Sequence, residues 1–133
     1  MFPSHDRRGG YCVLYGFYES LIKQLLEYAE HEFQLSKPDQ DGITTREHLE
    51  QVERQTGVRP QELNGPEFPH LVSHIWFAFL SLNRGRSQAF SGVAPLTALE
   101  IKSWCELSGE HLSPRDFDTI KRLDSLFVRV ANG

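Results

Sequence analysis

Two cysteines are all that the 133 residues contain. Cys12 and Cys105 stand far apart and outside any metal-ligand spacing, and they read as free, partly buried thiols of a cytoplasmic protein rather than a disulfide. Positive charge is also short: 14 Lys and Arg face 18 Asp and Glu, a net charge of −4. That excludes the broad basic field by which a protein holds nucleic acid or anionic lipid. No apolar run approaches the roughly 20 residues of a membrane span. The run that follows Arg7 and Arg8 is brief, broken by Gly16, carries three tyrosines and meets Glu19 with no small-residue cleavage site, so it does not read as a secretory signal. Period-two alternation is missing over any useful length, which argues against a sheet. Also missing are a Ser-His-Asp order, a Gly-rich phosphate loop after a strand and a Cys-His constellation.

What the chain does have is helical periodicity. Apolar residues make up 39% and charged residues 24%, ordinary for a globular chain of one domain's length. The richest stretch is PHLVSHIWFAFLSLNR, from Pro69 to Arg84. Its Leu71, Val72, Ile75, Trp76, Phe79, Leu80 and Leu82 recur at three- and four-residue steps, and Phe77 and Ala78 widen that face around most of the helix. The expectation is a central helix that the others cover.

In chain order, about ten polar and glycine-containing residues precede a helix from Cys12 to Leu35, striped by Leu14, Phe17, Tyr18, Leu21, Leu25, Tyr28 and Ala29. SKPDQDG, 36–42, breaks the chain. Thr44 to Glu47 fits a capping box opening a surface helix that ends at Gly57. One helical turn over Pro60–Leu63 and a proline-bounded link lead to the central helix. A link containing Phe90 follows Arg84. A second capping box at Thr97 to Glu100 opens a helix carrying Ile101, Trp104, Cys105 and Leu107 and closed by Gly109. Ser113-Pro114 caps the last helix, striped by Phe117, Ile120, Leu123, Phe127 and Val130. The expected fold is all-α, a small bundle of about five helices around the Trp/Phe-rich helix, with no sheet. It divides into an N-terminal helical segment over 1–42 with a mobile start and a core helical domain over 43–133.

Candidate chemistry is sparse. His70 and His74 are four apart, but no Glu lies at the zincin position and no third ligand is near, so neither metal nor cofactor is expected. Asp116 suits the positive end of its helix. Asp124, at the rim of the apolar stripe, reads as a structural carboxylate bonded to a loop N–H or to an arginine. No catalytic residue emerges, and the expectation is that the protein is not an enzyme.

The segments TGVRPQEL, PEFP, HIWFAFLSLNRGR and PLTALEIKSWCELSGEHLSPRDFDTIKRLDSLFV form an ordered series, covering about residues 46 to 130. Together they resemble the tail assembly chaperones of long-tailed bacteriophages, small proteins encoded near the tape measure gene, some as the downstream half of a frameshifted pair. The residues that carry the resemblance are Trp76, Phe79, Leu82, Arg84, Ile101, Trp104, Leu107, Leu112, Leu123, Asp124 and Phe127. Arg115-Asp116-Phe117 departs from the family pattern, which has an aromatic directly after the proline, and residues 1 to 40 lie outside it.

The resemblance implies a factor that keeps the tape measure protein or tail-tube subunits soluble during tail assembly in the host cytoplasm. Further partners would be an upstream overlapping chaperone or a second copy, with no nucleic acid and no membrane. The other readings are a different phage structural or host-interaction protein, or a helix-turn-helix regulator over Thr97 to Val130, whose second helix mixes acids and bases where DNA requires one basic face. For partner contact the candidates are Leu14, Phe17, Leu21 and Leu25 of the first helix, with Phe68 and Phe90 in the links. The first-helix stripe either packs back on the core or docks a partner or a second copy.

Overall fold

A computed structural model describes residues 4–86 and 92–133, with side chains from Gly16 onward. Five α-helices follow one another: α1 (Ser4–Ser36), α2 (Thr45–Thr56), α3 (Ser73–Arg84), α4 (Ala98–Ser108) and α5 (Pro114–Asn132). Single 3-10 turns cover Gln61–Leu63 and His70–Val72. There is no strand or sheet among the described residues; Pro38 and Thr44 form an isolated bridge. The all-α bundle expected from the sequence is what the chain forms.

The helix ends follow local chemistry. Thr44, Thr97 and Ser113 each accept from the backbone N–H three residues on, and Glu47, Glu100 and Asp116 reach back to complete three capping boxes. Gly57 and Gly109 close α2 and α4 at φ near +75°, the left-handed conformation that only glycine adopts without strain. Between α1 and α2, Asp39 organises the turn. Its Oδ1 accepts from the N–H groups of Asp41 and Ile43 at 2.9 and 3.0 Å, and its Oδ2 lies 2.7 Å from His48 Nε2. These bonds hold the Asp39 carboxyl below its ordinary pKa, with the His48 contact the largest cause.

Three helices make the core. On α1 the buried line is Ile22, Leu25, Ala29 and Phe33, at steps of three and four. α3 contributes Ile75, Trp76, Ala78, Phe79 and Leu82, and α5 contributes Ile120, Leu123, Leu126 and Val130. Phe33 is the hub. Its ring centroid lies 5.8 Å from Trp76, 5.7 Å from Phe79 and 5.1 Å from Phe127, so one side chain joins all three helices. Tyr28 extends the aromatic cluster to Trp76 and Phe68, and burial raises its phenol pKa.

Two expectations need correcting. The broadest helix contact is between α1 and α5, not around α3. α3 is also buried on one side only: Phe77 is 60% exposed and Leu71, in the preceding turn, is more so. Helix α1 starts at Ser4, ahead of the expected Cys12. Its Ile22, Leu25, Ala29 and Phe33 belong to the same apolar cluster as α3 and α5, so the described part of the 1–42 segment packs back on the core.

Candidate interaction face

Two arrangements involve residues that the sequence singles out. The first is a polar latch at the α3–α5 junction. Asp124 is 1% exposed on α5, where the apolar stripe meets the link that enters α4. Its Oδ1 accepts from Arg86 at 2.5 Å and its Oδ2 from the N–H of Leu96 at 2.9 Å. Arg86 is nearly as buried; it donates also to Ala94 O (2.7 Å) and Asn83 Oδ1 (2.9 Å), and its guanidinium lies 4.9 Å from the Phe127 ring centre. Lys121 donates to Leu96 O at 2.7 Å. A buried carboxylate is tolerable only with this degree of satisfaction, and here both oxygens have donors. The loop N–H and the arginine considered for Asp124 are therefore both present. The arginine is Arg86; Arg84, one of the residues that carry the resemblance, is exposed at the end of α3.

The second arrangement is an open face between α3 and α4. The two helices run antiparallel, so His74 and Phe77 of early α3 line one depression with Ser108 and Glu110 from the end of α4, while Leu82 and Gly85 line another with Leu96 and Leu99. Ser81 and Trp104 are shared by both depressions and form the floor, with the indole N–H donating to Ser81 Oγ at 3.0 Å. Ile101 is the only buried residue of α4. Leu99 and Leu107 stand out from the face, 70% and 90% exposed, with Phe77 at its far end. Glu100 and Glu110 line it, and no Lys or Arg does among the described residues.

Of the residues expected to contact a partner, Leu25 is corrected: it is fully buried in the core cluster. Leu21 and Phe68 are half-buried against that cluster, and Phe17 alone of the described ones is exposed. Leu14 and Phe90 lie outside the residues whose side chains are described. Of the core-type residues, Trp76, Phe79, Leu82, Ile101 and Leu123 are buried. Trp104, Leu112 and Phe127 are half-buried against the cluster, and Leu107 is no core residue at all. Leu99 was missed. Leu99, Ser103 and Leu107 form a line four residues apart on α4, separate from the line of Ile101, Trp104 and Cys105. A helix with one packing partner buries only one such line. No group of three His, Cys, Asp or Glu side chains able to hold a metal occurs among the described residues.

A family model described as phage tail assembly chaperone matches residues 52–129, more than half of the chain. The chain belongs to the phage tail assembly chaperone family. The matched region of this chaperone runs from late α2 almost to the end of α5, so it contains both the latch and the α3–α4 face and leaves α1 outside. Neither a curated protein nor a solved structure matches the chain.

Proposed function

We propose that this tail assembly chaperone binds the tape measure protein or tail-tube subunits of its own phage and keeps them soluble until they assemble. The observation that carries this reading is the family match over 52–129. A long helical client with apolar stripes aggregates through those stripes unless something covers them. A small acidic protein with a packed core and a separate exposed apolar face supplies such a cover and adds like charge that keeps the complex dispersed. The action is binding and release, with no catalysed step, and its place is the host cytoplasm where tails are built. No described helix is long and apolar enough to cross a membrane.

The test is co-expression with the tape measure and tail-tube proteins of the same phage. The expected result is a larger soluble fraction of at least one client and its co-purification with the chaperone. Both clients remaining insoluble, with neither co-purifying, would overturn the reading.

A further inference from the structure

We infer that the α3–α4 face is the seat of one amphipathic helix from a tail protein, with an apolar stripe flanked by Lys or Arg. This rests on the chaperone reading above and goes beyond it in naming the surface and the chemistry of the occupant.

Shape points to a helix. Two antiparallel helices leave a groove between their side-chain ridges, the setting in which a third helix lays its apolar face. α3 has 12 residues, so at 1.5 Å per residue the groove extends about 18 Å and holds about three turns of a client. There is no sheet edge among the described residues to which an extended segment could add as a strand.

The apolar anchors are spaced along that length: Phe77 at one end, Leu99 near the other, Leu107 on the wall and Trp104 in the floor. Because Trp104 already donates its N–H to Ser81, a client can cover the ring without stripping a donor of its partner.

Charge selects the flanks and decides against a second copy. Glu100 and Glu110 line the groove, and the basic residue of α4, Lys102, lines the cleft towards α5 instead. In a two-fold dimer through this face each groove would meet itself, bringing acids against acids. A helix with basic residues beside its stripe meets the same acids as partners.

The experiment uses the full chain with two synthetic amphipathic peptides of three turns. They share one Leu/Ala stripe, and one is flanked by Lys, the other by Glu. Tryptophan fluorescence gives the affinities. The Lys-flanked peptide should bind at least tenfold more tightly than the Glu-flanked one. Leu99→Asp with Leu107→Asp should weaken it at least tenfold and Glu110→Lys severalfold, while Val58→Asp, an exposed site away from the face, should leave it unchanged. The same double variant should lose the client in the co-expression assay. Client binding that survives Leu99→Asp with Leu107→Asp overturns the surface assignment and leaves the chaperone reading standing. Failure of the unmodified chain to hold any client sinks the chaperone reading itself. A wild-type dimer in light scattering that Leu107→Asp converts to monomer would show the face to be a self-interface and overturn the proposal.

Discussion

Helices α1 and α4 are held to the rest of the molecule by opposite means. α1 enters the core with Ile22, Leu25, Ala29 and Phe33, and Phe33 alone meets three aromatic rings on two other helices. α4 sinks only Ile101, and depends on polar tethers: Asp124 and Lys121 on Leu96 at its entry, and Trp104 on Ser81 further along it. Packed apolar area stabilises without fixing direction, whereas hydrogen bonds fix direction with a small net gain. The chaperone thus keeps its mass of apolar burial on one side and, on the other, a helix set in place but left with an uncovered apolar line.

Substitutions can break that contrast. Phe79→Ala, at the centre of the core, should cost about 3–5 kcal/mol and lower the melting temperature of the whole domain in calorimetry. Trp104→Ala should cost clearly less, because the ring is half-buried; an equal loss would mean that α4 is as deeply packed as α1. Asp124→Ala leaves Arg86 buried without its partner and should cost about 3 kcal/mol. Its mark in hydrogen exchange should be loss of protection in 93–108 before α1 and the rest of α5. Thr97→Ala removes one capping box and should cost about 1 kcal/mol. Leu107→Asp should change stability by less than about 0.5 kcal/mol, seen as an unmoved denaturation midpoint, because the side chain touches little.

The turn before α2 adds a pH dependence. Asp39 has a lowered pKa, so its contribution is fully present above the ordinary carboxylate range and is lost as pH falls through the lowered value. The amides of Asp41 and Ile43 should shift together in an NMR titration at acid pH, and Asp39→Asn should abolish that transition.

Where a feature rests on local chemistry, the sequence shows it. The capping boxes at Thr44 and Thr97, the Ser113 cap, the glycines that close α2 and α4, and the helical period of α3 are each complete within a few residues. The third box is legible only as a cap, because its closing residue is Asp116 rather than Glu or Gln. Asp124 was legible too, because a carboxylate at the rim of an apolar stripe needs donors. Facts that depend on which helices meet were not legible. Phe77 looks like core by composition, but no helix covers its angle on α3. Phe33, near the end of α1, gives no sign that it is the hub until α3 and α5 converge on it. Leu25 was a candidate for partner contact because α1 has a full apolar stripe, and a stripe is equally suited to a client or to α5. Which arginine would reach Asp124 was not legible, because Arg86 lies in the link beyond α3 and meets α5 only once the chain has turned.

The stretch from Val93 to Leu96 has a consequence for how this family can vary in length. Val93 N–H and C=O both bond the Asn132 amide, Ala94 O takes Arg86, and Leu96 takes Asp124 on its N–H and Lys121 on its C=O. Pro95, between them, has no N–H to satisfy. Asp124 and Asn132 are eight residues apart on one helix, about 12 Å, and three extended steps from 93 to 96 cover about 10 Å. The segment is a splint laid along α5, pegged near both ends by side chains instead of by another strand. Adding or removing one residue within it would pull one peg from its socket. Insertions and deletions between α3 and α4 should therefore fall before Gly92, and relatives that differ in the length of this connection should still align without a gap from Val93 to Leu96.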